Sequence, residues 1–482
     1  MGSEYHTLHI FFVPFLAHGH MIPTIDMAKL FAERGVKATI ITTPLNEPFI
    51  SKVIGKAKTS GKGIHVQTIE FPCVQAGLPQ GCENVDSIPS PDLFLAFIKG
   101  CRLLQEPLEL LMFEQRPDCV VADIFFPWVN DSAAKFGIPR LVFHGTGFFP
   151  LCAIECTRLY KPYKNVSSDS EPFVIPNLPG EIKMTRMQLS HHIMNNERTD
   201  FTGFMREAKE SELRSYGVVV NSFYELEKVY ADHFRKELGR KAWHIGPVSI
   251  CNRDTEQKAH RGKEASIDEY ECLKWLDAKQ PNSVVYVCFG TMTNFSDSQL
   301  KYIAMGLEAS GQLFIWVVMR KSKKEGEEGE EWLPEGFEKR IENRGLIIRG
   351  WAPQVLILEH EAVGAFVTHC GWNSTLEAVT AGVPMVTWPV AAEQFYNEKL
   401  VTEVLKIGVP VGVKKWVRIE GDSITWDMVE KAVKRIMAGD DVDEMGNKVK
   451  VLSQLARHAV EERGSSYLDL NALIKELRSQ RH

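Results

Sequence analysis

The chain has 482 residues, 44% of them hydrophobic and 24% charged, with a formal net charge of −6, an ordinary globular composition at a length that suits two domains, each with its own core. The negative balance leaves no electrostatic footprint for nucleic acid or an anionic membrane, and no apolar run approaches the ~18 residues of a membrane span. The opening MGSEYHTLHI has no basic stretch before an apolar core, and His6 stands where a myristoylation pattern needs Ser or Thr, so neither a secretory signal nor a lipid anchor is expected. Ten scattered cysteines without a C-x-x-C pair read as reduced thiols of a cytoplasmic protein. On that reading the sequons at 165–167 and 294–296 are chance.

Taken in order, the elements fall into two α/β halves. Residues 8–13 form an apolar strand, followed by a Pro- and Gly-containing turn, a helix and a second strand over 36–42. Pro23 suits a first helical position; Ile25, Ala28, Phe31 and Ala32 recur at helical spacing, and Gly35 ends the element. A strand over 119–122, a helix from about 127 to 136 and a strand over 140–143 come next. After Ile245-Gly246-Pro247, the polar, charged stretch 251–266 reads as an interdomain linker. The second half restarts with a near-continuous β run over 283–289. The charged run 321–331 reads as a solvated loop. Leu470, Leu473, Ile474 and Leu477 mark an amphipathic closing helix. The expected division is a first domain over 1–246, a linker over 247–266, a second domain over 267–460 and a terminal helix over 461–482. The cleft between the two domains is the natural ligand site.

Two first-half residues stand at strand carboxyl ends, where a parallel sheet faces its ligand. His20 lies between a strand and a helix, and its imidazole suits a general base near neutral pH. Taken alone, a His here is more often an ordinary turn residue; a metal pair with His18 lacks a third ligand at suitable spacing. Asp123 follows the strand over 119–122 and could orient a base or cap the helix near Pro127.

The most informative stretch is 351–394, WAPQVLILEHEAVGAFVTHCGWNSTLEAVTAGVPMVTWPVAAEQ. Residues 364–368 form a short buried parallel strand that ends at His369, and Gly371-Trp372-Asn373-Ser374 turns the chain. A helix is expected from Thr375, capped by Ser374 or Asn373 and stopped by Gly382, with the next strand over 384–388. Its free N-terminal amides make a phosphate site flanked by His369 and Ser374, and Glu377 sits where a carboxylate can accept two ribose hydroxyls. Taken alone this is an ordinary βαβ connector. With Trp351 at one end and Glu393-Gln394 at the other, it reads as a nucleotide-sugar site.

This block resembles the UDP-sugar box of plant secondary-product glycosyltransferases (plant family 1), and nearly the whole chain resembles the subgroup acting on phenolics such as flavonoids and coumarins, and on some triterpenes. The resemblance implies a GT-B architecture, an α/β fold with two Rossmann-like doubly wound parallel-sheet domains facing across a cleft, and a closing helix that returns to the first domain. It implies that Trp351 stacks on uracil, Ala352 bonds its edge through the backbone, Gln354 lies by the ribose and Glu377 grips its hydroxyls. His369, Asn373 and Ser374, with the Gly371 turn, would hold the diphosphate; Trp372, Glu393 and Gln394 would contact the hexose, a terminal Gln being the family's choice for glucose. His20 matches the general base and Asp123 the carboxylate that orients it; Thr291 aligns with a turn near the diphosphate, Thr293 could share that role, and Thr146 is a further sugar contact.

The expected activity is inverting transfer of glucose from UDP-glucose to a hydroxyl of a small apolar acceptor, without a metal or other cofactor, in a monomer with no nucleic-acid or membrane partner. The acidic Asp441-Val442-Asp443 has no strand before it and reads as surface charge. A dinucleotide oxidoreductase is disfavoured because no G-x-G-x-x-G follows a strand: the nearest piece, 145–150, ends in Pro150. A P-loop fails at 55–63, where Gly63 occupies the Ser/Thr position. A catalytically silent UDP-sugar-binding protein would need neither His20 nor Asp123.

Overall fold

The computed structural model describes residues 7–59, 63–194, 200–291, 293, 295–319, 332–417 and 424–480. The run 321–331 and the sequon residue Asn294 lie outside the described residues.

The first half is a seven-stranded sheet built from β1 (His9–Val13), β2 (Lys37–Thr42), β3 (Ile64–Thr68), β4 (Cys119–Asp123) and β5 (Arg140–Phe143), then, after a small antiparallel ribbon of β6 (Phe173–Val174) and β7 (Lys183–Met184), β8 (Gly217–Val220) and β9 (Ala242–His244). Its order is β3-β2-β1-β4-β5-β8-β9, all parallel. The second half holds β10 (Val284–Cys288), β11 (Leu313–Val318), β12 (Gly345–Arg349), β13 (Val363–Thr368), β14 (Met385–Thr387) and β15 (Gly408–Pro410), in the parallel order β12-β11-β10-β13-β14-β15. In each sheet the first strand pairs on one side with the second and on the other with the fourth. That is the doubly wound arrangement, whose ligand crevice opens at the carboxyl ends where the winding reverses.

Strands buried on both faces explain the unbroken apolar runs. Ile10 and Phe12 of β1 pack on one face with Leu470, Leu473, Ile474 and Leu477 of the closing helix, while Phe11 and Val13 pack on the other face with Val120 and Ala122. The closing helix spans Ser465–Ser479 and lies on the first sheet, as its apolar stripe suggests.

Two local expectations need correction. The first helix, α1 (His18–Ala32), begins five residues before Pro23, which sits inside it and not at its start. His20 is therefore in the first helical turn. The helix tolerates Pro23 because the carbonyl Pro23 cannot engage, that of Gly19, receives another donor: Asn373 Nδ2, at 2.7 Å from across the cleft. The stretch 251–266 is also less open than its polarity implies. It carries a short helix, Thr255–Ala259, and its Arg261 is buried.

Candidate active site

The reversal point of each sheet contributes one half of the site. In the first sheet Val13 pairs with Ala122, so the residues just beyond β1 and at the end of β4 meet. His20 Nδ1 lies 2.7 Å from Asp123 Oδ2. The Asp123 side chain is fully buried and the imidazole about one-quarter exposed. With its Nδ1 proton given to Asp123, the ring carries its lone pair on Nε2, the tautomer a base needs. Asp123 is held in turn by the Phe125 amide on Oδ1 (3.0 Å) and by Arg140, whose Nη2 donates to the Asp123 carbonyl at 3.0 Å. Burial opposes a charged His20, but Asp123 and, at longer range, Glu393 overcome it and raise the His20 pKa above its usual value. His18 does not join His20 as a metal pair: its Nδ1 is 2.8 Å from its own carboxylate partner, Asp86 Oδ2.

In the second sheet Cys288 pairs with Thr368, which brings the Gly290 turn against His369. A Cβ at Gly290 would stand 2.8 Å from the imidazole, and one at Gly371 only 2.3 Å from His369 Nε2. Both positions therefore require glycine. Burial lowers the His369 pKa to about 4, so the ring is neutral at physiological pH. Thr291 follows this turn, half-buried.

The helix after His369, α2 (Trp372–Ala381), starts three residues before the expected Thr375 and has Gly371 as its N-cap without a side-chain cap. Neither Ser374 nor Asn373 caps it. Ser374 Oγ instead accepts from Gln354 Nε2 at 3.1 Å, and Asn373 donates to Gly19. The first-turn amides remain available, apart from that of Trp372, which the Glu393 carboxylate accepts. Gly382 ends the helix in the left-handed conformation, as expected.

Around this helix the remaining block residues are held by one another. Gln354 Nε2 also donates to Glu377 Oε2 at 2.7 Å. Trp351 is tied to Ser266 on both sides, its N–H to Oγ at 3.0 Å and its carbonyl to the Ser266 N–H at 2.8 Å. Ala352 is buried behind it. Gln394 Oε1 accepts the amides of Val390 and Ala391 at 2.8 and 2.9 Å, which leaves its NH2 end as the donor. Glu393 Oε1 is 3.2 Å from Asn397 Nδ2. Cys370 and Ala392, beside these groups, have positive φ of 64° and 51°, backbone strain of the kind that gathers at ligand sites.

Trp372 is the residue placed least as expected. Its indole is buried and reaches into the first half, where Nε1 donates to the Asn221 carbonyl at 2.6 Å and the ring lies against Gly147. Glu227 completes that socket, accepting the Phe148 and Phe149 amides at 3.1 and 2.7 Å and so capping a helix, Phe148–Tyr160, that has no cap of its own. Sequence reasoning passed over Asn221, Glu227 and Arg140 because each owes its role to a partner distant in the chain.

Several buried polar atoms in this region have no partner among the described residues: Thr146 Oγ1, Trp351 Nε1, His369 Nδ1 and Asn373 Oδ1. Buried polar groups are normally hydrogen-bonded, although such atoms also occur away from this region, at Thr42, Trp128 and Trp316 for example.

Residues 172–457 match the family model described as UDP-glucoronosyl and UDP-glucosyl transferase. The chain belongs to that family. It is 59% identical to a scopoletin glucosyltransferase of Nicotiana tabacum over 98% of both chains, and 58% identical to a UDP-glucose flavonoid 3-O-glucosyltransferase of Fragaria ananassa over 98% of this chain and 96% of that one. Among solved structures, a UGT of Glycyrrhiza uralensis complexed with glycyrrhetinic acid 3-O-monoglucuronide is 44% identical with a TM-score of 0.92, covering 98% of this chain and 96% of that one. One of Medicago truncatula complexed with UDP-glucose is 25% identical with a TM-score of 0.79, covering 99% and 100%. This UDP-glycosyltransferase has the GT-B architecture, with two Rossmann-like domains. No helix among the described residues is long and apolar enough to cross a membrane.

Proposed function

We propose that this UDP-glycosyltransferase moves glucose from UDP-glucose to a hydroxyl of a small planar phenol of the flavonoid or coumarin type, with inversion. The observation that carries the reading is the buried Asp123 carboxylate on His20 Nδ1, which leaves Nε2 as the basic nitrogen of a partly exposed ring.

In this reading Trp351 stacks on uracil, the Ala352 backbone bonds its edge, and Gln354 and Glu377 hold the ribose. The α2 amides with Gly371, Asn373, Ser374, neutral His369 and Thr291 hold the diphosphate. Glu393 and the Gln394 NH2 take the hexose hydroxyls, while Trp372 contributes its backbone there and its ring to the domain contact. The acceptor hydroxyl loses its proton to His20 Nε2 as its oxygen forms the bond to the anomeric carbon. The bond from that carbon to the UDP oxygen breaks on the opposite face, giving a β-glucoside from the α-linked donor. The developing charge on UDP falls on amide and imidazole N–H donors, and no metal is needed.

Support for a flat acceptor comes from the rings beside His20. Phe15 and Phe125 stack at 4.4 Å and Phe125 and Phe204 at 5.9 Å, each at 22°, and His20 meets Phe15 and Phe125 edge-on. Such a column offers faces to another aromatic plane. The names of the tobacco and strawberry relatives point the same way. A second reading, the same chemistry on a triterpenoid or steroid acceptor, draws on the ligand of the Glycyrrhiza structure.

Ten unpaired cysteines favour a reducing, cytoplasmic setting. A monomer suffices, since one chain supplies every residue named. The test is a panel of flavonols, coumarins and triterpenoids assayed with UDP-glucose in EDTA, with the product's anomeric configuration read by NMR. The reading predicts a β-glucoside of a phenol; retention of configuration, or loss of activity to the chelator, contradicts it.

A further inference from the structure

The segment that joins the two sheets reaches into the donor site. Arg261 has a guanidinium only 5% exposed, with one end on each half of the protein: Nε donates to Asp26 Oδ2 at 2.7 Å and Nη1 to Glu377 Oε1 at 2.5 Å. Asp26 is fully buried on α1, the helix that carries His20, and also accepts from Asn252 Nδ2 at 2.8 Å. Glu377 is on α2, beside the residues proposed to hold the diphosphate, with its second oxygen on Gln354. The neighbouring residues hold Trp351. Gly262, at φ +138°, lies so close to the indole that a Cβ would stand 2.3 Å from it, and Ser266 bonds the Trp351 backbone in both directions.

Asp26, Arg261 and Glu377, with Lys29 4.0 Å from Asp26, make a buried charge cluster, a poor way to gain stability because apolar residues of equal volume do as well or better. What a guanidinium adds is geometry. Its donors form a rigid fork that can span two carboxylates, which an ammonium cannot reproduce. Each Glu377 oxygen accepts one protein hydrogen bond and keeps a lone pair for a ligand hydroxyl. Arg261 and Gln354 thus orient the carboxylate without exhausting it.

We infer that Arg261 is a positioning residue of the donor site: it fixes Glu377 for the two ribose hydroxyls and, through Asp26, ties that grip to the helix bearing the base. The inference rests on Glu377 being the ribose ligand, as proposed above. The side chain therefore governs donor affinity and ribose recognition and leaves acceptor binding alone.

The test compares UDP with 2′-deoxy-UDP by calorimetry on the full chain, with KM for UDP-glucose and for the acceptor measured alongside. The wild type should prefer UDP by about tenfold or more, the worth of a hydrogen bond to a charged group. In Arg261→Gln that preference should fall to about threefold or less and KM for UDP-glucose should rise about tenfold, with acceptor KM changed by less than about twofold. Arg261→Lys, which keeps the charge but cannot span both carboxylates, should lose part of the preference, and it decides the matter if the Gln variant does not fold. Wild-type discrimination and KM in a folded variant overturn the inference. So does tighter UDP binding, which would make Arg261 a competitor of the ribose. If the wild type itself binds no UDP, the functional reading fails first, so the two failures are distinguishable.

Discussion

Asn373 Nδ2 donates at 2.7 Å to the carbonyl oxygen of Gly19, the oxygen that Pro23, four residues on, cannot engage. A helix defect in one domain is thereby repaired by a residue of the other, and the repair lies one residue from His20. Asn373→Asp keeps the shape but faces the Gly19 carbonyl, and the diphosphate proposed to bind there, with a carboxylate. UDP affinity is expected to fall about tenfold or more, read by calorimetry, with the far-UV circular dichroism spectrum unchanged.

The raised His20 pKa has a sign that kinetics can read. As the proposed base His20 works deprotonated, so kcat/KM is expected to fall as pH drops through its raised folded-state pKa. Asp123→Asn removes the carboxylate that raises it, so the acid limb should move to lower pH while kcat/KM at the plateau falls about 10²–10⁴-fold. The same shift stabilises the fold in the opposite sense. The contribution of the pair is fully present below the unfolded value near 6.5 and is lost as pH rises through the folded value.

His369 titrates the other way. With a folded pKa of about 4 against an ordinary 6.5, protonation favours the unfolded chain, so stability is unaffected above 6.5 and is lost as pH falls from 6.5 towards 4. The loss amounts to about 3 kcal/mol, and His369→Gln should flatten that part of the stability–pH curve in urea unfolding.

Trp372 joins the domains through its ring. Trp372→Ala should destabilise by about 3–5 kcal/mol, lowering the urea midpoint, and Trp372→Phe by less. Gly147→Ala should mimic part of the loss, because its Cβ would meet the indole at 2.5 Å.

The aromatic column makes a separate prediction for the acceptor. Phe125→Ala should raise the KM for a phenolic acceptor about tenfold, since aromatic contacts and burial together reach this scale. UDP affinity should stay within about twofold of the wild type, because the ring touches none of the donor-site groups.

Much of this was legible in the chain because the parts that carry chemistry are local. The block from Trp351 to Gln394 holds a short helix, Gln354–Leu358, that the sequence did not announce, and then a strand–turn–helix–strand unit whose elements periodicity places to within a few residues. His20 and Asp123 were legible for another reason: Asp123 ends β4, His20 follows β1 by a short turn, and parallel sheets bring the ends of adjacent strands together. Pro23 misled because the rule that puts proline at a helix start assumes that the carbonyl four residues back has no other partner, and that partner lies about 350 residues away in Asn373. Arg261 was hidden in a polar stretch that looks like solvated linker, and only its two carboxylates, 235 and 116 residues distant, reveal that it is buried. For Trp372 the sequence pointed only to the sugar and did not announce the Asn221–Gly147 socket that its ring fills.

The central claim is that one domain holds UDP-glucose while His20 of the other deprotonates the acceptor. The most direct measurement pairs UDP calorimetry with UDP release in the presence of a phenolic acceptor, on the wild type and on His20→Ala. The account predicts that both proteins bind UDP with affinities within about threefold, and that release by the variant falls by about 10² or more. Full turnover by His20→Ala, or no heat on titrating the wild type with UDP, contradicts it.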